Sequence, residues 1–316
     1  MKRPGRVFGI LLFAVGAGWA STATAQTPPD APGFAVHIDD RLIDHSVGST
    51  FVRQGRAVRV AASDLPSDAR MRLDSAGLAS HRLDDQDWRI QAPETPGVYP
   101  ITLHNQASGQ TRRLNLFVMQ PFDPSQRAIN GYRIGHYQPQ PLHNLEVYEP
   151  PQALMPVAQA DTDARLSPHF TIGQFLCHQQ PGHWPKYLRL RSTLVAKLEA
   201  IVAALNRRGI AAQTLTVMSG YRTPQYNAAI GNTTTYSRHL FGGAADIYVD
   251  TNGDGRMDDL NGDGTVDVAD ARWLARLIDS LGEAKPRFVG GLSAYSANSA
   301  HGPFVHTDVR GVAARW

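Results

Sequence analysis

The sequence predicts an α+β protein in which a mixed C-terminal domain follows a small all-β sandwich. Three observations predict it. From Phe34 to about Phe122, apolar residues fall in short runs that often alternate with polar ones between turn residues. From Leu166 onward, apolar residues recur at three- and four-residue spacing in two stretches, which is the helical period. These stretches and the β-like runs around them do not alternate regularly, which favours α+β over a doubly wound parallel sheet.

The chain has 316 residues, room for two domains at about 100–200 residues each. With 42% hydrophobic and 19% charged residues it is neither a disordered acidic chain nor a coiled coil, and 28 Gly and 21 Pro imply a loop-rich frame around the core. Lys2, Arg3 and Arg6 precede the apolar run Val7–Ala20, and Ala23-Thr24-Ala25 offers a small-residue cleavage site. Residues 1–25 therefore read as a secretory signal peptide, the run being shorter than the roughly 20 residues of a membrane span. Of 31 basic residues three lie in this leader, leaving 28 against 28 acidic ones, so the mature chain is neutral and charge gives no support for nucleic-acid binding. No other stretch is apolar enough to span a bilayer. The lone Cys177 excludes an intrachain disulfide and a cysteine-rich zinc site.

Residues 26–33 (QTPPDAPG) read as a linker. The sandwich is expected over 34–122, antiparallel, from the runs FAVHI, TFVRQ, AVRVAA, MRLDSAG, DWRIQAP, GVYPITLHN and RRLNLFVMQ. The Pro96-Gly97-Val98-Tyr99 entry to a strand resembles an edge of immunoglobulin-like sandwiches. Nothing in it suggests chemistry, and it names no partner. Residues 123–165 read as an extended connector rich in Pro, Gly, Tyr and Gln. The C-terminal domain (166–316) is expected to hold one helix through Tyr187, Leu190, Leu194, Leu198, Ile201, Val202 and Leu205. A strand over Thr214–Met218, a helix over Val268–Leu281 and a last strand over Phe304–Val309 follow.

Three segments carry candidate chemistry. In Ser237-Arg-His239-Leu-Phe-Gly242-Gly-Ala-Ala-Asp246, the histidine and the aspartate converge on one ion if the glycines turn sharply. In Phe304-Val-His306-Thr-Asp308, both polar residues point to one face of a strand. Ser219-Gly-Tyr221-Arg222 offers a guanidinium suited to a carboxylate, with Tyr221 beside it as a second substrate-binding candidate. His239, Asp246 and His306 make an N/N/O set with a position left for water, the pattern of a catalytic zinc site, and Asp308 suits the role of orienting a ligand imidazole.

SRHLFGGAAD resembles the S-x-H-x-x-G-x-A-x-D signature of the zinc D-Ala-D-Ala peptidases, whose hedgehog/DD-peptidase fold also includes lysostaphin-type domains. SGYR upstream and H-x-D downstream occur in that family's order, and the ending FVHTDVRGVAARW is similar to a branch of periplasmic murein peptidases. The resemblance covers about Leu166–Trp316. It implies a zinc peptidase acting on peptidoglycan peptides, as carboxypeptidase or endopeptidase, with periplasmic localisation. His239, Asp246 and His306 are then the zinc ligands, Arg222 binds a substrate carboxylate or polarises a carbonyl, and Ser237 supports the ligand loop. The positions where many relatives keep a general base are Pro303 and Phe304 here, which take no proton. His301 is the nearest replacement and Asp308 the second, and the base stays unassigned. A silent peptidoglycan binder of the same fold is the alternative that this gap motivates. A surface interaction module built on the sandwich and the acidic repeat is a third reading.

Between the second and third segments lies DTNGDGRMDDLNGDGTVDVAD. Asp250, Asn252, Asp254, Gly255 and Asp258 fit positions 1, 3, 5, 6 and 9 of an EF-hand-like loop. Asp259, Asn261, Asp263, Gly264, Asp267 and Asp270 fit positions 1, 3, 5, 6, 9 and 12 of a second. The loops overlap at 259–261, so they are not two independent full sites. Calcium is expected in this insertion (250–270), stiffening the wall of the zinc site.

Overall fold

The computed structural model describes residues 33–316, so the expected leader and all but the last residue of the expected linker lie outside the described residues. The N-terminal part is built from β1 (Ala35–Ile38), β2 (Arg41–Ile43), β3 (Val47–Arg53), β4 (Ala57–Ser63), β5 (Met71–Asp74), β6 (Ser80–Asp84), β7 (Asp87–Gln91), β8 (Gly97–Asn105) and β9 (Thr111–Pro121). One sheet runs β2-β1-β4-β7-β6, and the other joins β5, β8 and β9. Val36, Val58, Val60, Trp88 and Ile90 face Ile101, Leu103, Leu114, Leu116 and Val118 in one sandwich core. The spacing of two along each strand is what puts these residues on one side. The expectation of a purely antiparallel sandwich is corrected at one place, because β3 runs parallel to β9 from Val47↔Arg113 to Arg53↔Met119.

The connector is more than a linker. β10 (Ala128–Ile129) and β11 (Tyr132–Arg133) form a small hairpin, and β12 (Ala153–Val157) pairs with both β9 and β13 (Lys186–Leu188). One sheet therefore runs from the sandwich into the C-terminal half. Strand β9 serves both cores: Leu114, Leu116 and Val118 face the sandwich, while Phe117 and Met119 point into the C-terminal core. The aromatics Tyr132, Tyr137 and Tyr148 cluster with Tyr187 and Phe241, packing the connector on the C-terminal domain.

The remaining elements are α1 (Ser192–Asn206), β14 (Thr216–Ser219), α2 (Pro224–Ala229), β15 (Ala244–Tyr248), α3 (Val268–Ala284), β16 (Gly291–Tyr295), β17 (Phe304–Asp308) and β18 (Ala314–Arg315). Tyr187 is in β13 and not in the helix, because Lys186–Leu188 pairs with β12 and the helix starts only at Ser192. The strands form a sheet of order β14-β15-β17-β16-β18. Ala245, Ile247, Leu292 and Val305 point from one face into a core with Leu198, Ile201, Leu274 and Ile278 of α1 and α3. The alternate residues Asp246, Ser293, Tyr295, Phe304 and His306 therefore share the opposite face. Among the described residues no helix is long and apolar enough to cross a membrane.

Candidate metal centre

The register of neighbouring strands brings the site together. β15 and β17 pair Asp246 directly opposite His306, and β16 puts Ser293 on the other side of that histidine. His239 arrives on a short 3₁₀ turn, Arg238–Phe241, that ends at Gly242 with φ +66°. A side chain there would be strained by that φ, and its Cβ would fall 2.2 Å from the Arg189 carbonyl oxygen. The Gly242 carbonyl accepts the Arg191 N–H at 2.9 Å, which fixes the turn against the segment that enters α1.

His239 (2% exposed), Asp246 (4%) and His306 (8%) offer ligand atoms that all lie within 4.8 Å of one another. His306 Nδ1 is 2.9 Å from Asp246 Oδ1 and 3.2 Å from His239 Nε2, and His239 Nε2 is 3.3 Å from Asp246 Oδ1. The outer nitrogens are spoken for. His239 Nδ1 donates to the Gly220 carbonyl at 2.7 Å, and His306 Nε2 donates to Asp308 Oδ2 at 3.3 Å. A carbonyl and a carboxylate only accept, so neutral imidazoles keep their N–H groups outward and turn two lone pairs toward Asp246 Oδ1. Three lone-pair atoms crowded in a buried pocket repel one another unless a cation sits among them. The donor set, two imidazoles and one carboxylate, suits zinc.

Without a cation among the three groups, the electrostatics divide the two imidazoles, His239 favouring its neutral form and His306 its protonated one. Burial lowers the proton affinity of His239, and its other neighbours do not reverse this. Burial works against ionised Asp246, yet the two histidines override it and hold the carboxyl far below the usual range. Burial also works against protonated His306, but Asp246 and Asp308 together raise it. Asp308 is fully buried. It accepts the Gly291 N–H at 2.8 Å and bonds from the Arg310 backbone N–H, Nε and Nη2, while Lys197 of α1 donates to its backbone carbonyl at 2.8 Å.

Three sequence expectations change here, and a fourth gains a second role. Asp308 is not placed as a base, since Arg310, Gly291 and His306 occupy its oxygens, and it orients His306 instead. Tyr221, 1% exposed, is a core residue whose hydroxyl meets that of Tyr137 at 2.8 Å, so it does not touch substrate. His301 does not line the cavity over the triad. Its Nδ1 donates to the Gly302 carbonyl, and its ring packs edge-on against Phe304. Arg222 lines the cavity, and it also holds Asp246 Oδ2 through Nη2 and Ser219 Oγ through Nε, the latter at 2.7 Å. That grip leaves Oδ1 of Asp246 as the oxygen turned to the histidines.

The cavity over the triad measures about 520 Å³ and is walled by Tyr148, Tyr236, Tyr295, Phe304 and Trp316, with Ser237 and Arg310 at its edge. Tyr148 comes from the connector, which no motif singled out. Arg238, next to the ligand His239, stacks on Tyr148 at 4.6 Å and donates to the Val147 carbonyl, holding this wall against the ligand turn.

In the acidic insertion, Asp250 accepts the N–H groups of Gly253, Asp254 and Gly255, and Asp259 those of Gly262 and Gly264. Asp258 accepts from Thr251, and Asn252 and Asn261 cap the amides of Asp254 and Asp263. Asp267 and Asp270 form a reciprocal capping box at the start of α3, and buried Asp270 also accepts from Leu260 and Asn261. Among the described residues, the only group of three or more His, Cys, Asp or Glu gathered for a metal is the His239–Asp246–His306 triad, and the aspartates of the insertion do not form another.

Residues 168–260 match the sequence model of the family described as Peptidase M15. The match contains Ser219–Arg222, His239 and Asp246, and it ends before His306. With the triad it supports a zinc-dependent metallopeptidase. No curated protein matches. One solved structure, described as the crystal structure of titin M3 domain, is similar over 27% of this chain and 98% of its own, at 14% identity and a TM-score of 0.18. A likeness that slight does not bear on the fold.

Proposed function

We propose that this chain is an exported zinc peptidase that hydrolyses peptidoglycan stem peptides or their cross-links, as a D-Ala-D-Ala-type carboxypeptidase or a murein endopeptidase. The observation that carries the reading is the inward lone-pair geometry of His239, Asp246 and His306 beneath an open cavity. His239, Asp246 and His306 would hold the zinc, which would supply a water of pKa lowered to about 7 and polarise a carbonyl. The protein's own part is positional. Gly220 and Asp308 fix the imidazole tautomers, Arg222 holds the second oxygen of Asp246, and Tyr148, Tyr236 and Trp316 wall the substrate in. Of the arginines that line the cavity, Arg222 is paired with Asp246 and Arg310 with Asp308, and the charge left over, that of Arg238, favours a substrate segment bearing a carboxylate.

Incubating the zinc-loaded protein with purified peptidoglycan fragments, with and without a chelator, tests this by mass spectrometry. Chelator-sensitive loss of a terminal residue or a split cross-link supports the proposal and names the bond. Intact fragments, with zinc measured in the sample, favour the silent binder, whose motive is that no carboxylate or imidazole beyond the three candidate ligands lines the cavity.

Calcium in the 250–270 insertion is part of the same proposal. Its support is the alternate-position oxygens and the four glycines at positive φ, Gly253, Gly255, Gly262 and Gly264, which bend the chain around each Asp250- and Asp259-type turn. The periplasm as its place of action rests on the leader pattern and the resemblance alone.

A further inference from the structure

The cavity holds several hydrogen-bond donors, and most are committed. Arg222 is held through Nε by Ser219 and through Nη2 by Asp246, and Arg310 donates to both oxygens of Asp308. Arg238 donates to Val147, with its Nε and Nη2 sealed inside the protein. The Tyr236 hydroxyl donates to the Gln140 carbonyl at 2.8 Å. Tyr295 differs. Its hydroxyl oxygen accepts the indole N–H of Trp316 at 2.7 Å, so its own proton is left to donate into the cavity that it lines.

We infer that Tyr295 is a catalytic residue that donates a hydrogen bond to the oxygen of the scissile carbonyl, with Trp316 as the positioning residue that aims it. The inference rests on the peptidase reading of this cavity and deepens it. Tyr295 is two residues from Ser293 on β16, opposite Phe304, while Ser293 is opposite His306, so all four side chains share the site face. The Tyr295 ring lies parallel on Phe304, with centroids 4.6 Å apart and planes within 5°, which removes its freedom to swing. Trp316 is held at both ends: Ser293 Oγ donates to its carbonyl, and its indole N–H meets Tyr295. Between those ends its ring lies 5.3 Å from the His306 ring and under the Arg310 guanidinium. The hydroxyl is therefore one indole away from a metal-binding imidazole. A chain that spends 58% of a Trp surface on solvent there gains an oriented donor beside the reaction centre. Ser237, Tyr148, Thr234 and Asn232 also line this cavity, and the indole N–H that fixes the Tyr295 hydroxyl distinguishes Tyr295 from them. Tyr295 keeps its proton throughout. As water adds to the carbonyl carbon, the C=O electron pair moves to oxygen and strengthens the bond from Tyr295. That pair returns when the C–N bond breaks, and the amine leaves with the proton that the water gives up. A donor set in advance where charge develops is the kind of group whose removal costs about 10²–10³ in kcat.

Tyr295→Phe keeps the stack on Phe304 and removes only the hydroxyl, and Trp316→Phe keeps a ring over His306 and removes only the indole N–H. With the zinc-loaded protein and purified muropeptides, Tyr295→Phe is expected to lower kcat about 100-fold. KM is expected to stay within about twofold, with zinc content and Tm unchanged. Trp316→Phe is expected to fall between that variant and wild type. A second readout separates this inference from the function it rests on: the affinity of a phosphinate analogue of D-alanyl-D-alanine, which carries the tetrahedral oxyanion. Tyr295→Phe should weaken phosphinate binding about as much as it lowers kcat, and leave binding of the uncleaved dipeptide unchanged. Wild-type-like kcat in Tyr295→Phe, equal phosphinate affinity in both proteins, or loss of zinc along with activity overturns the inference. If wild type cleaves no muropeptide, the peptidase reading fails by itself and the phosphinate comparison still decides Tyr295, with no phosphinate binding by wild type counting against it.

Discussion

Two regions of this molecule gather ligand atoms, and they do so in opposite ways. His239, Asp246 and His306 come from a turn and two paired strands, lie almost fully buried, and two of them are aimed by groups about 20 residues away in sequence, Gly220 for His239 and Arg222 for Asp246. The aspartates of residues 250–270 come from one continuous stretch, are mostly exposed, and are satisfied by amides two to ten residues away. The first arrangement is imposed by the fold and exists before any ion arrives. The second is a property of the local chain, already content with its own N–H groups, so an ion there must displace bonds that exist. Buried carboxylates and imidazoles held close together cost stability and persist where they serve function.

The comparison is broken most severely at the triad. His306→Ala is expected to abolish stoichiometric zinc and reduce muropeptide cleavage to background, with zinc measured by plasma emission on the same sample; full zinc in that variant would remove His306 from the set. Asp308→Asn comes next. It puts an amide where Gly291, Arg310 and His306 all need oxygen, so zinc affinity should fall about 10–100-fold in a competition titration. An unchanged affinity would mean that His306 needs no orienting partner.

A smaller effect separates structure from site within the same domain. Burial would raise the carboxyl of Glu199, but His169, donating from its backbone N–H at 2.9 Å and facing it with Nδ1 at 2.6 Å, brings it below its ordinary value. The depressed value means that this pair stabilises the fold above about pH 4.3 and that its contribution is lost as pH falls through the folded value. Glu199→Gln should cost about 1–3 kcal/mol at pH 7 and flatten the acid side of the Tm profile, while zinc content stays at wild type. The smallest effect belongs to the loop. Calcium at about ten times a millimolar-range Kd adds about 1.4 kcal/mol, a rise of roughly 2–4 °C in Tm, and should leave Asp250→Asn/Asp259→Asn unshifted. Equal shifts in both proteins, or none in wild type, would leave the loop as a set of self-capped turns.

What the sequence made legible follows the same division between local and distant. The segments SRHLFGGAAD and FVHTD name the three candidate ligands, because each segment is short and strand parity puts His306 and Asp308 on one face. The helix α3 was legible from its apolar period, whereas Asp267, expected as a calcium ligand, caps its start. Strand β12 was not: ALMPV is buried almost throughout and carries a proline, so it has no alternation to read. Strand β6 failed for the opposite reason, with all five residues exposed. Tyr221 looked like a substrate contact beside Arg222, but its neighbour Tyr137 is 84 residues away, and only the fold shows that the two hydroxyls meet in the core. Among the cavity walls, register brings Tyr295 beside Phe304 and His306, while Tyr148 arrives on the connector against Arg238 and Trp316 through its bonds to Ser293 and Tyr295.

The measurement that tests the central claim most directly is anomalous X-ray diffraction at the zinc absorption edge, on crystals of the zinc-loaded protein. The account predicts one strong peak in the triad, bonded to His239 Nε2, His306 Nδ1 and Asp246 Oδ1, with Arg222 still on Asp246 Oδ2. A peak bonded through His239 Nδ1 or His306 Nε2, or zinc bound elsewhere with the triad empty, would contradict it.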